Sequence, residues 1–554
     1  MSQPRAPVGR KDHLFGAALC IAYVALLLGT SHGLAMSRDE SFYVVAAERY
    51  GAWIELLARD PGSALARDAI DRAWSYNHEH PALMKTAFAL SWLVQKHYQL
   101  FPDDSSAFRF PGMLTGGLLL WLIYVFGARL WGRPAGVFGA LAFAFMPRVF
   151  YHAHLDCFDV PIVLMTTLTS YCYWRSLLQP RWAIATGLAF GLALATKHNS
   201  WVLPGIYGIH FAWMALVERG RVRAGSAPRV SGRPYWLPAM LLLGPAIFVG
   251  SWPWIWHDTL PRIGSYARFH LEHAYYNMAY FGHNYFRPPF PVSYPFVMTA
   301  FTVPLATLLL AVVGLGGQAR ALFPPRLADR LWPHGRVTAD RRATDVLLVG
   351  CLFAPIVIIA LPSTPIFGGT KHWFPAYPFL ALYAGLGLMR AGRALRQRLP
   401  EALAREPRRA YLMAGALALA PSVADSLESH PFGLSNYTFV AGGAPGAADL
   451  GMNRQFWGFT TGSLADWFRE RLPHGGTVWI CDMTPIAWQM MQRDGLVPRN
   501  IRVARDMASA DYALVHLEHH FAEVEYQAWV AFGTVRPVEV LTYDGVPIIT
   551  VYGR

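Results

Sequence analysis

Eleven stretches of the chain carry the uninterrupted apolar pattern of membrane-crossing helices: 14–35, 109–128, 134–150, 158–177, 182–196, 199–217, 235–256, 292–316, 345–361, 373–390 and 410–426. A crossing helix needs about 20 apolar residues, and shorter ones occur where helices shield one another. A twelfth stretch, "PALMKTAFALSWLV" (81–94), has one short apolar run with Lys85 inside it. Beyond residue 426 the pattern changes. "SLADWFRERL", "PIAWQMMQRDG" and "FAEVEYQAWVAFG" read as amphipathic helices. "TVWICD" and "DYALVHL" read as strands, and "VEVLTYDGVPIITVYG" as two closing strands about a turn at Asp544-Gly545. The pattern predicts a polytopic α-helical membrane protein: about eleven transmembrane helices within 1–426, then an α/β domain at 427–554.

Composition agrees. Hydrophobic residues make up 54% and charged residues 15% of the chain, where soluble proteins carry about 25% charged residues. A net charge of +13 would suggest nucleic acid in a soluble protein. Here it reads as basic cytoplasmic loops facing anionic lipid headgroups, and no nucleic-acid partner is expected. Cys20, Cys157, Cys172, Cys351 and Cys481 show neither a CxxC nor a zinc spacing. The first apolar stretch lacks a convincing cleavage site and reads as an uncleaved span. No internal repeat is visible.

Charge orients the spans. With the N-terminus in the cytoplasm, the inside loops hold Arg129 and Arg133, Arg175 and Arg181, and the clusters Arg219–Arg233, Arg320–Arg342 and Arg390–Arg409. The outside loops hold only Arg148, Lys197, Arg262, Arg268, Arg287 and Lys371 outside the long first loop. This is the positive-inside bias. Counting 81–94 as a span would invert everything after it, so that stretch is expected to lie in the outer interface. Asp39, Glu40, Glu79, Asp156, Asp159, Lys197, Lys371 and the 427–554 domain then share the outer face.

Several of these residues admit two readings. In "SRDESFY" (37–43) Ser37 and Glu40 fit a capping box, yet Asp39 and Glu40 stand where a carboxylate leaves the membrane and its acidity can be tuned. In "SYNHEHPALMKT" (75–86) Glu79 lies between His78 and His80, Pro81 opens a helix and Lys85 follows one turn later. Lys85 is either a snorkelling side chain or a ligand for an anion. Asp156 and Asp159, beside His152 and His154, form a polar span end or part of a divalent-cation site. The chain has only five lysines, and three of them, Lys96, Lys197 and Lys371, precede a histidine. Random placement would give roughly 0.2 such pairs. Lysine is a compact point charge suited to phosphate, and the same residues could be interfacial anchors. Neither a Walker A glycine-lysine nor a G-x-S-x-G elbow occurs.

At these clusters the chain resembles the GT-C superfamily of polyprenyl-phosphate-dependent glycosyltransferases, in particular family 39 with the protein O-mannosyltransferases and lipid A aminoarabinose transferases. "RDESFY" (38–43) is similar to the family's Asp-Glu pair in the first outer loop, and "HEHPALMK" (78–85) to its His-Pro-Pro-Leu-x-x-Lys stretch. "RFPGMLTGGLLLWLIYVFGARLWGRPAG" (109–136), "LDCFDVP" (155–161), the aromatic 252–295 loop and "KHWFPAYP" (371–378) also fit. The order of the pieces carries the resemblance across about 10–390. "HPFGLSNYTFVAGG" (430–443) resembles the start of the extracytoplasmic tail of some bacterial members.

The resemblance implies a GT-C fold with outer juxtamembrane helices in the bacterial inner membrane. It implies inverting, hexosyltransferase-like transfer from a polyprenyl-phosphate-sugar donor to a protein, lipid or glycan acceptor. Asp39 would be the general base, with Glu40 as its partner. Lys85, Lys197, Lys371, His80 and His372 would hold the phosphate. Glu79 and Asp156 would hold a divalent cation (Mg, Mn or Zn) or orient substrates. Ala82 replaces the usual second proline, and His80 stands where aminoarabinose transferases carry lysine. Two other classes compete: a flippase of lipid-linked sugar, which would place charges mid-span and repeat its halves, and a non-catalytic envelope scaffold.

Overall fold

The computed structural model describes residues 7–223, 233–318, 323, 339–366, 368–396 and 407–554. Most of the arginine-rich stretches expected on the inside fall outside the described residues. Every one of the eleven apolar stretches lies on helix. The helices are Arg10–Thr30, Asp104–Trp131, Arg133–Ala144, Asp159–Ser176, Trp182–Leu194, Leu203–Arg223, Trp236–Gly250, the pair Tyr294–Thr302 and Leu305–Gly316, Ala339–Ala360, Tyr377–Arg396 and Pro407–Glu428. Among the described residues, four of these are long and apolar enough to cross a membrane alone. Others, such as Trp182–Leu194 and Trp236–Gly250, are shorter apolar helices.

The stretch 292–316 departs from a single span. Its two helices meet at 118°. Val303 is extended there, and Pro304 follows. Proline lacks the amide hydrogen that would continue the helix, and it drives the preceding residue out of helical backbone space. Elsewhere glycine lets helices approach closely. A Cβ at Gly314 would collide with the Tyr383 carbonyl, and one at Gly387 with the Leu310 carbonyl. Small residues at such crossings are what membrane helices use in place of a hydrophobic driving force.

The 81–94 stretch becomes the helix Leu83–Tyr98, which packs against the helices Arg38–Arg59 and Asp104–Trp131. Arg38–Arg59 follows the first apolar helix after a short connection, so its N-terminus starts at that helix's exit. Facing it across the site is a short 3₁₀ segment, Gly369–Ala376, which opens on two glycines with positive φ, Gly368 (φ +70°) and Gly369 (φ +69°).

The C-terminal stretch forms a five-stranded sheet in the order β4-β3-β5-β7-β6, with β3 Gly476–Ile480, β4 Ile501–Val503, β5 Tyr512–His516, β6 Glu539–Tyr543 and β7 Val546–Gly553. A hairpin, β1 Met278–Tyr280 and β2 His283–Tyr285, lies in the aromatic loop. β3 runs parallel to β4 and β5, while β7 is antiparallel to β5 and β6. Asp544 (φ +50°) and Gly545 (φ +74°) make the two-residue turn between β6 and β7, a conformation that Asp-Gly adopts at low cost. Val478, Ile480, Leu514, Ile549 and Val551 bury one sheet face against Phe468 and Trp488 of the flanking helices. The edge strand β4, "IRV", has no counterpart in the sequence reading. It has three residues, two of them exposed, too few to show a strand period.

Candidate functional site

The helix Arg38–Arg59 begins at Ser37, whose backbone N–H donates to Glu40 Oε2 at 2.7 Å. That bond fixes the first turn, and the turn gives its two acids different surroundings. Glu40 is fully buried, and Arg109 donates to both its oxygens, Nε at 2.7 Å and an Nη at 3.0 Å. Arg109 also donates to the Leu34 and Ala35 carbonyls. Glu40 therefore locks the chain just after the first apolar helix. Asp39, a quarter exposed, faces a cavity of about 1160 Å³.

Lys371 reaches Asp39 from the 3₁₀ segment, with its Nζ 3.0 Å from Oδ2. Arg38 Nε lies 3.9 Å from Oδ1. Burial pushes the Asp39 carboxyl up, but Lys371 and Arg38 outweigh it and hold the group below the usual carboxylate range. The ammonium of Lys371 also sits 4.0 Å from the centre of the Trp457 ring, a cation–π contact. Lys197 Nζ lies on the same cavity, 2.7 Å from Asp159 Oδ1. His152 Nδ1 is 3.5 Å from the other Asp159 oxygen.

Of the residues expected to act, Asp39, Glu79, His80, Lys197, Lys371 and His372 line this one cavity. Glu40, Lys85 and Asp156 do not line it. Lys85 is fully buried and spends its protons on the Asn77 carbonyl (2.5 Å), the Asn77 side chain (3.3 Å) and the His80 carbonyl (2.9 Å). It pins the loop that presents Glu79 and His80, and burial lowers its pKa to about 7. Asp156 is fully buried beside Glu40, which accepts from its backbone N–H at 3.3 Å. Burial and the Glu40 charge push its carboxyl well above the usual range.

The cation expectation finds no ligand set. Among the described residues no group of three or more His, Cys, Asp or Glu side chains could hold a metal ion. Glu79 lies on the cavity wall and accepts from Asn77 at 2.7 Å, whereas Asp156 lies behind it.

The C-terminal stretch contributes wall residues that the sequence reading missed: Asn453, Phe456, Trp457, Asp482, Glu518 and His520. Arg38 joins the two parts, with Nη1 2.5 Å from Asp482 Oδ1. Asp482 follows the carboxyl end of the parallel strand β3, the end at which α/β sheets usually offer a binding crevice. That position was the available signal. The long helices add an apolar part to the lining, including Leu203, Ile206, Ile358, Ile359 and Phe379. The arrangement can hold an ionised base, two ammonium groups and an apolar chain in one cavity.

Residues 80–225 match the model of the dolichyl-phosphate-mannose-protein mannosyltransferase family. The match contains all but the first two residues of "HEHPALMK" and all of "LDCFDVP", and the resemblance to the protein O-mannosyltransferases is borne out there. Among solved structures, ArnT from Cupriavidus metallidurans in the apo state aligns at 15% identity and a TM-score of 0.46, over 97% of this chain and 98% of its own. The same protein bound to undecaprenyl phosphate aligns at 15% identity and a TM-score of 0.45, over 97% of both chains. The oligosaccharyltransferase AglB from Archaeoglobus fulgidus, in complex with an inhibitory peptide and a dolichol-phosphate, aligns at 12% identity and a TM-score of 0.47, over 94% of this chain and 72% of its own. No curated protein matches.

Proposed function

We propose that this protein transfers a sugar, with inversion, from a polyprenyl-phosphate carrier to an acceptor at the outer face of a bacterial inner membrane. The observation that carries the reading is Asp39, held ionised by Lys371 at 3.0 Å on the wall of a cavity with an apolar side. The mannosyltransferase-family match over 80–225 supports the same chemistry.

In this reading the lipid chain lies along Leu203, Ile206, Ile358 and Ile359. Its phosphate meets Lys371 and Lys197, with His80 and His372 beside them. The acceptor hydroxyl gives its proton to Asp39 as its oxygen bonds to the anomeric carbon. The bond from that carbon to the phosphate oxygen breaks with its electron pair, leaving polyprenyl phosphate. Base catalysis needs a carboxylate within hydrogen-bond reach of the acceptor, and the ammonium groups stabilise charge where it develops on the leaving group. Glu40 keeps the first turn in register. The N-terminus is cytoplasmic, the 427–554 domain is extracytoplasmic, and the sugar is a hexose.

The test is glycan mass spectrometry of envelopes from cells with the protein, without it, and with Asp39→Asn. A hexose that vanishes in both deficient strains supports the reading. Identical glycans in all three strains refute it.

A further inference from the structure

The cavity wall supplied by the C-terminal stretch has no task in the transfer step. Three of its side chains are polar and more than nine-tenths buried: Asp482 (4% exposed), Asn453 (7%) and Glu518 (9%). All three line the cavity. Their hydrogen bonds are incomplete. Glu518 Oε2 accepts from Asn453 Nδ2 at 3.2 Å, while Glu518 Oε1 and Asn453 Oδ1 have no hydrogen-bond partner among the described residues. A buried polar group without a partner is destabilising, and functional sites are where such a cost is retained. Asn453 Oδ1 only accepts, and a carboxyl oxygen accepts or, when protonated, donates, so the missing partner carries at least one hydrogen-bond donor.

Its charge follows from the neighbours. Arg38 already supplies a cation to Asp482 at 2.5 Å. Burial, then the Asp482 charge, pushes the Glu518 carboxyl well above its usual range. A carboxyl that keeps its proton both donates and accepts, as an alcohol does. An ammonium ligand only donates and would favour an ionised pair. The site therefore fits hydroxyl groups. Arg38 touches both Asp482 and Asp39, so the hydroxyls would lie one arginine side chain from the base.

We propose that Asp482, Glu518 and Asn453 form a subsite for the hydroxyls of a sugar ring, placed by the C-terminal sheet against the transfer centre. The inference rests on the proposed function for the identity of that ring, which belongs to the lipid-linked donor or to a glycan acceptor. Either way the sheet selects a substrate, and Arg38 couples that selection to Asp39.

The experiment measures binding to the full chain in lipid nanodiscs by calorimetry. One arm compares geranylgeranyl phosphate with the same lipid carrying each of a panel of hexoses, pentoses and amino sugars. A second arm adds the methyl glycosides of those sugars with geranylgeranyl phosphate present. At least one sugar-bearing lipid is expected to bind tenfold or more tighter than the bare lipid, which marks the donor as the source. A saturable methyl glycoside marks the acceptor instead. Glu518→Gln, and independently Asn453→Ser, should remove that gain while affinity for the bare lipid stays within twofold, which also shows that the variants are folded. The proposal is overturned if the gain survives both variants, if no sugar adds binding in either arm, or if only the amino sugars do. Binding of a methyl glycoside that depends on Glu518, with no binding of the bare lipid, would retain the subsite and refute the lipid-carrier reading.

Discussion

Asp39→Asn separates the base from the charge it balances. The substitution keeps the shape of the side chain and removes its ability to take a proton. A positioned general base contributes about 10²–10⁴-fold, so turnover should fall by about that factor. Binding should move the other way. Lys371 loses the carboxylate 3.0 Å from its ammonium. Two unit charges at that separation attract by about 1.4 kcal/mol in bulk water and about 5.5 kcal/mol at an effective dielectric constant of about 20. Even the smaller figure corresponds to about tenfold in an equilibrium constant. A prenyl phosphate that supplies the missing negative charge should therefore bind about tenfold tighter to Asp39→Asn. Calorimetry with geranylgeranyl phosphate reads the affinity, and release of polyprenyl phosphate from a labelled donor reads the turnover. Weaker binding with lost turnover would show that Asp39 holds substrate rather than activating it. Turnover at the wild-type rate would remove Asp39 from the mechanism.

Three further outcomes follow from the same geometry. Asp39 sits below the usual carboxylate range because Lys371 and Arg38 outweigh its burial, so its ionised form is lost only in strong acid. Lys371→Met should move the acid limb of the rate profile upward by about one pH unit or more, the shift that about 1.4 kcal/mol represents, and an unmoved limb would contradict the pairing. Lys85 titrates near 7 in the fold against about 10.4 unfolded, so the unfolded chain binds more protons between those values. Stability should therefore rise as pH increases from 7 toward 10, and in Lys85→Met the melting temperature should lose that rise. Glu40→Gln leaves the fully buried Arg109 without its carboxylate. Breaking a buried pair costs about 3–5 kcal/mol, to be seen as a large fall in melting temperature or in folded yield. A variant of unchanged stability and abolished turnover would return Glu40 to the catalytic group.

Much of the site is legible in the chain because membranes make charge rare. Lys197 and Lys371 stand out as two of five lysines, and both reach the cavity. The same signal misleads at Lys96-His97, where both side chains hold Glu55 on an exposed surface. Glu40 and Asp39 are neighbours of one type, and what divides them is Arg109, 69 residues from Glu40. Local pattern carries no trace of that partner. Lys85 fits an anion ligand by position, yet the loop folds its carbonyls over the ammonium first. Pro304 marks the break that turns 292–316 into two helices. The helices and four of the five C-terminal strands follow from periodicity, but their meeting with the cavity does not. Asp482 lies 444 residues from Arg38, and only its place at the end of β3 hints at a ligand.

The central claim is tested by purified protein in liposomes supplied with a polyprenyl-phosphate hexose of known anomeric configuration and an envelope extract. The account predicts release of polyprenyl phosphate that requires both the extract and Asp39, and a product of opposite anomeric configuration by NMR. Retained configuration, release that persists in Asp39→Asn, or no release from any hexose donor would contradict it.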